Sequence, residues 1–476
     1  MESHNILANL AAAEIAEIAE GEWVFGEPGR VPWRRAVKCH PPSQCGAADF
    51  VIGPTQPEAP YDPMDHVGQY VAAGCAALMV DRLRPGVVPE LPVLRVPRIR
   101  RALFRLAHRA RKEVPGRVVA VTGSSGKTTT KEMLAFLIGR QGKVVATPGT
   151  GNSLMAICYQ LINAPLDAGH YVFESGLGQA GSGIADHSGL LRPHVAIVTA
   201  VHPAHVGGYD SVDQIAHRKM DIARHLQPDG HLLIDRDSEH HELMRSLAGE
   251  HDVGHLVSFG FHARADVRIA EIAIGESGTD AQIVVDDVLL PVRLRMHGRH
   301  WAKLAAAALG TCRALGLDAA QAAADLGEFQ LPKGRGEVYP LPFRGGSVLV
   351  YDSHFNANPG SMAADLDAFG AIAAGGGRRN IAIVGAMREL GALTERAHRD
   401  LAAKLAALPF AGIFLIGEET CVMGEVLPSR GVWQFDTADG AFEAVSTYLA
   451  ADDFLFVKGS HSNRLDQLIR RLRSLR

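Results

Sequence analysis

No apolar run in this 476-residue chain approaches the roughly 18 to 20 residues that cross a bilayer, which excludes a membrane-spanning helix. The opening residues, MESHNILANLAAAEIAEIAE, lack a basic start and carry acids through their apolar stretch, so they do not read as a secretory leader. Basic blocks are missing as well. The 48 Lys and Arg stand against 52 Asp and Glu, a net charge of −4 that argues against nucleic acid as a partner. Cysteine is sparse: six, at 39, 45, 75, 158, 312 and 421, form neither a disulfide framework nor paired metal spacing. That usage suits reduced thiols in a cytoplasmic protein, and Cys39 and Cys45 have no second pair to complete a metal site. Repeats and low-complexity tracts are absent. What remains is an ordinary globular composition, 47% hydrophobic and 21% charged, long enough for about three domains.

The most informative stretch is 118–138, VVAVTGSSGKTTTKEMLAFLI. Four apolar residues, Val118 to Val121, read as a buried strand; a loop bounded by Gly123 and Gly126 follows, and a helix-forming run restarts at Lys127. A strand that breaks at glycines and resumes as a helix aims backbone N–H groups at one spot. Such a spot suits phosphate, with Lys127 countering charge and the Thr128 hydroxyl available to Mg²⁺. The loop is shorter than the usual Walker pattern, which would want glycine where Val121 stands.

Around this stretch the chain divides into three units. Residues 1–113 read as a small α/β domain, with a helix near the start, strands at 49–53, 75–80 and 91–96, and a basic helix over 98–112. Residues 114–332 alternate strands (143–147, 170–175, 194–201, 231–235) with helices, the pattern of a parallel sheet. An antiparallel appendage follows over roughly 266–296. Residues 333–476 form a smaller alternating unit whose four strands suggest a Rossmann-like sheet, although no GxGxxG marks a dinucleotide site. The fold class is therefore α/β with three domains: N-terminal substrate domain, central phosphate-loop ATPase and C-terminal Rossmann-like domain. A monomer is expected.

Open α/β sheets bind ligands at the carboxyl ends of their strands. Glu174 and His205 stand at two such ends and could hold Mg²⁺ against phosphates, or be structural and bland respectively. Lys219 lies in a helix, where a solvated face is the ordinary role. Asp352, Asn356 and Asn358 crowd one strand end before Pro359; substrate binding and helix capping both fit. Lys458, followed by Gly459-Ser460, closes the last strand, where a cation could meet a substrate carboxylate.

Taken together these residues resemble the Mur ligase family, ATP-dependent amide-forming enzymes of peptidoglycan synthesis. TGSSGKTTTKEM (122–133), FESG (173–176), PAHVGGYDS (203–211), IAHRKMDI (215–222), GAMRELG (385–391) and VKGS (457–460) follow in that family's order. DSHFNANPGSM (352–362) is similar to the signature of the type that adds D-alanyl-D-alanine to a muramoyl tripeptide. The resemblance implies that Gly123, Ser124, Ser125, Gly126, Lys127, Thr128 and Thr129 bind ATP, with His300, Asp352, Asn356 and Asn358 on its far side. It implies Mg²⁺ held by Thr128, Glu174, His205 and a carbamylated Lys219. Lys127, Lys219 and His205 would be catalytic, and Asn152, Ser153, Lys458 and Ser460 would meet substrate. Partners would be a small-molecule carboxylate and an amino acid or peptide amine.

Departures from the family pattern fall on base and substrate recognition. The HNxxN motif appears as His300-Trp301-Ala302-Lys303-Leu304, an asparagine pair survives as Asn152-Ser153, and Thr199-Ala200 replaces another. The first 48 residues lack the uridine-nucleotide motif. The expected activity is amide ligation through an acyl phosphate, by a diverged member acting on an amino acid or peptide, or else by the cell-wall precursor ligase itself. Folylpolyglutamate-type ligation, a simple ATPase or kinase, and a non-catalytic nucleotide binder are the other readings, disfavoured by 356–359 and by retention of Lys127, Glu174, His205 and Lys219.

Overall fold

A computed structural model describes residues 5–26, 34–39, 41–54, 61–177, 183–203, 211–275 and 277–475. The chain is a three-domain α/β protein with three sheets, mainly parallel, and clusters into two compact units.

The first unit comprises Met1–Ala120, Gly142–His194 and Arg224–Gln227. Its five-stranded sheet has the order Glu22–Trp23, Val93–Arg95, Ala77–Val80, Asp49–Ile52, Arg35–Lys38. Every pairing is parallel except the first. Asp49–Ile52 and Ala77–Val80 are buried at every position, as continuous apolar runs covered on both faces should be. The basic helix Ile99–Glu113 is amphipathic: Ala102, Leu103, Leu106, Ala107 and Ala110 recur at helical spacing and are buried, Arg100 and Arg101 are exposed, and Arg111 donates to the backbone carbonyls of Leu191 and Arg192. The expected single N-terminal helix is two, Ile6–Asn9 and Ala12–Ala19, interrupted where Leu10 turns extended. The unit also holds the parallel strand pair Val144–Ala146 and His170–Glu174.

The second unit comprises Val121–Gln141, Val195–Ala223 and Pro228–Arg476. Strand β1 (Arg117–Thr122) ends at its beginning, and helix α1 (Lys127–Gln141) starts after a four-residue loop. Strand β2 (Val195–Val198), helix α2 (Val212–Met220) and strand β3 (His231–Asp235) follow. Beside β3 lie His255–Gly260 in parallel, then Val267–Gly275, Gly278–Val285 and Val288–Leu294 as the antiparallel appendage. Helix α3 (Arg299–Ala314) packs on this sheet and on α1, its alanine-rich face wholly buried.

The C-terminal part of this unit is a six-stranded sheet, not four. Strands β4 (Glu337–Phe343) and β5 (Gly346–Ser353) form an antiparallel hairpin. Helix α4 (Pro359–Gly376) leads to Asn380–Gly385, and the chain returns through strand β6 (Phe454–Lys458). The order is β4, β5, β6, Asn380–Gly385, Phe410–Ile416, Val432–Phe435. β4 reads EVYPLPF, and its two prolines disguise it. Both occupy an outer strand two residues apart, so their nitrogens face away from β5 and no ladder bond is lost. Phe369 of α4 stacks on Phe454 at 4.2 Å and on Phe410 at 5.2 Å, anchoring the helix; its removal would cost about 3–5 kcal/mol.

Candidate active site

Val118 to Val121 of β1 are fully buried and deliver the chain to a loop whose conformation only glycine supports. Gly123 has φ 151°, and a Cβ there would collide with Thr199 Oγ1; Gly126 has φ 80°, and a Cβ would come within 2.9 Å of Leu304 Cδ2. The segment after β2 holds the loop from outside. Thr199 Oγ1 lies 2.5 Å from Ser125 O and 3.1 Å from Thr122 O. Ser124 Oγ donates to His202 O (2.9 Å) and accepts from His202 N (3.0 Å). Lys127 Nζ donates to Gly123 O at 2.7 Å and Ser124 O at 3.4 Å, and Thr128 and Thr129 are buried behind it. A 15-residue helix thus starts at a braced glycine loop with its lysine folded over that loop, a cradle fitted to a polyphosphate.

Lys219, near the end of α2, is 2% exposed. Burial first, and Lys127 second, push its ammonium well below the ordinary lysine range, so the solvated-face role does not apply. A neutral amine is the form that adds CO₂ to become a carbamate. His205 lies outside the described residues. Glu174 is buried in the first unit, where its Oε1 accepts from Asn152 Nδ2 at 2.9 Å and its N–H donates to Thr147 Oγ1 at 3.1 Å. Asn152 therefore orients Glu174, and Ser153 caps the helix Leu154–Ile162 by accepting from Ala156 N at 3.2 Å. Among the described residues no three His, Cys, Asp or Glu side chains converge on a metal position.

The C-terminal candidates gather at the carboxyl ends of β5 and β6. Asp352 accepts from Tyr339 Oη (2.9 Å) and pairs with His354 Nδ1 (2.5 Å). Asn358 caps α4: its Oδ1 accepts from Ser361 N at 2.9 Å, and Ser361 Oγ accepts from Asn358 N at 3.1 Å. Ser460 Oγ accepts from Arg388 N at 3.0 Å. Lys458 departs from the expectation of a cation open to substrate. It is 2% exposed, and its Nζ lies 2.8 Å from Asp365 Oδ2 while donating to Asn356 O at 3.0 Å and Ser353 Oγ at 3.1 Å.

Asp365 escaped the sequence reading, although a signal was there. In SMAADLDAF it shares a helical face with Met362, Leu366 and Phe369, so a carboxylate points at the core, and Lys458 ends an otherwise apolar, fully buried strand with a cation. The altered HNxxN segment is also informative. Leu304 fills the space against Gly126, Trp301 is buried against Gly336 with its Nε1 unpartnered, and Lys303 Nζ pairs with Asp235 at 2.5 Å and Asp237 at 3.4 Å.

Comparison with known proteins agrees across most of the chain. The family model described as Mur ligase middle domain matches residues 121–312, and that described as Mur ligase, glutamate ligase domain matches 334–461. The chain is 30% identical over 417 residues to the UDP-N-acetylmuramoyl-tripeptide–D-alanyl-D-alanine ligase of Escherichia coli, covering 87% of this chain and 88% of that one. It is 29% identical over 414 residues to the enzyme of the same name from Synechocystis, covering 87% of each. The crystal structure of MurF from Acinetobacter baumannii superposes with a TM-score of 0.85 at 26% identity, covering 98% of both chains.

Proposed function

The chain belongs to the Mur ligase family, and from that premise we propose that it is an ATP- and Mg²⁺-dependent ligase joining a carboxylate to the amine of a peptide. The observation that carries the reading is the braced phosphate loop with the buried, neutral-leaning Lys219 near Lys127. The names of its relatives support UDP-N-acetylmuramoyl-tripeptide and D-alanyl-D-alanine as the first substrate pair. A monomer working in the cytoplasm fits this substrate class.

A carboxylate is a poor acyl donor because its leaving group would be oxide. Its oxygen attacks the γ-phosphorus of ATP and the bond to ADP breaks, giving an acyl phosphate. The amine then attacks the carbonyl carbon, phosphate departs, and the nitrogen loses a proton. The loop amides from Gly123 to Lys127 and the Lys127 ammonium hold the transferring phosphoryl group and offset its charge. Oxygen donors suit Mg²⁺, and by the family's pattern its ligands would come from the Thr128 hydroxyl, the Glu174 carboxylate, the Lys219 carbamate and His205. When bound, the ion polarises the phosphoryl oxygens. Lys219 amine plus CO₂ gives the carbamate and one proton, turning a cation that would repel the metal into an anion that attracts it. Asn152 keeps Glu174 oriented, and Asp352, Asn356 and Asn358 flank the nucleotide from the C-terminal part.

A second reading, a diverged member with another carboxylate or base preference, is favoured by Trp301, Leu304 and the Lys303–Asp235 pair. The deciding experiment incubates the chain with ATP, Mg²⁺, UDP-N-acetylmuramoyl-tripeptide and D-alanyl-D-alanine. Phosphate release matched by an amide product is expected, and Lys127→Ala should lower it by about 10² or more while leaving thermal unfolding unchanged. No release above background removes this substrate pair; an unchanged rate in the variant overturns the role of the loop.

A further inference from the structure

We propose that Asp365 is a positioning residue that ties the first turn of α3 to the 356–358 turn, so that nucleotide loop and C-terminal turn are set as one piece. The proposal rests on the nucleotide reading above for its meaning, though not for its geometry. Asp365 is 5% exposed and lies two turns inside α4. Oδ1 accepts from Tyr351 Oη at 2.9 Å; Oδ2 accepts from Ser353 Oγ at 2.6 Å and faces Lys458 Nζ at 2.8 Å. Through Lys458 the same carboxylate reaches Asn356 O, fixing the turn that precedes the Asn358 cap.

The other half of the tie comes from α3. His300 Nε2 stands 3.5 Å from Asp365 Oδ1, buried and without a hydrogen bond. Nearby, a Cβ on Gly298 would lie 3.0 Å from Ala368, so the backbones of α3 and α4 meet closely here. One turn further along α3, Leu304 occupies the space beside Gly126 of the phosphate loop. A rigid helix therefore touches the phosphate loop at Leu304 and the Asp365 cluster at His300. Burial alone would drive Asp365 toward its neutral acid; Lys458 first, then His300 and the Ser353 hydroxyl, reverse that and hold its pKa below the ordinary value. A shift of a few tenths of an ångström by either helix brings His300 into full hydrogen bonding with Asp365, which makes their contact responsive to whatever the phosphate loop binds.

A buried ion pair serving stability alone would respond differently, and a double-mutant cycle separates the two. Asp365→Asn and His300→Asn should each slow ATP-dependent turnover about tenfold, and the double variant should also lose about tenfold, where independent sites would multiply to about a hundredfold. Backbone hydrogen exchange of the ligand-free chain gives a second readout. His300→Asn should raise exchange at residues 354–358 severalfold while leaving 380–385 unchanged. Multiplicative losses, or unaltered exchange at 354–358, overturn the tie. If the unmodified chain turns over no substrate pair, the ligase reading falls, and the exchange experiment still decides the coupling. Should Asp365→Asn unfold, His300→Asn alone carries the exchange test.

Discussion

His187 sits on the buried face of the helix Ile184–Leu191, fully covered, with neither ring nitrogen partnered. Burial lowers its pKa from 6.5 to about 4. The unfolded chain therefore takes up this proton first as pH falls. The folded state keeps its full stability above about 6.5 and loses it progressively toward pH 4, on the order of 3 kcal/mol in all. His187→Leu should flatten that acid limb and raise the melting temperature at pH 5 more than at pH 8. Equal shifts at both pH values would contradict the assignment. Single residues were also where the sequence was least legible. Lys127 announced itself through glycine spacing. Lys219 looked like an ordinary helical surface lysine because its burial depends on a fold the local pattern does not contain. Asp365 and Lys458 make sense only as a pair 93 positions apart, each an anomaly until the other is beside it.

Elements were read more securely than residues, since periodicity is a property of several positions at once. The strand before the phosphate loop, the antiparallel appendage and the basic helix Ile99–Glu113 stand where pattern placed them. The strand His255–Gly260 was passed over because three of its six residues are His, Ser and Gly, diluting the apolar signal. β4 was hidden by its prolines. At α4 the open choice between capping and ligand binding has a structural half-answer. Asn358 caps the helix through Oδ1, and its Nδ2 has no partner among the described residues. Asn358→Ala should cost about 1 kcal/mol of stability, the ordinary worth of a cap. Asn358→Ser preserves a capping oxygen and should keep the melting temperature while slowing turnover; a serine variant with unchanged turnover would reduce this residue to a cap.

At the scale of the molecule, three-domain α/β architecture was legible from alternating strands and helices, whereas the strand count in the C-terminal sheet was not. No helix among the described residues is long and apolar enough to cross a membrane. On the proposed reading the Mg²⁺ ligands serve chemistry, not folding. Chelating divalent cations should therefore abolish turnover while shifting the melting temperature of the ligand-free protein by less than about 2 °C, because a structural ion would stabilise by mass action and its loss would show. A larger fall would reveal a metal built into the fold. The C-terminal sheet has one more property that bears on how copies of the chain meet. Pro340 and Pro342 present no N–H groups along the outer rim of β4, so that rim offers a second chain no regular row of donors. A strand from a neighbouring copy has little to zip onto there, and the feature that concealed β4 from pattern reading also guards the enzyme against fibrous self-association at high concentration.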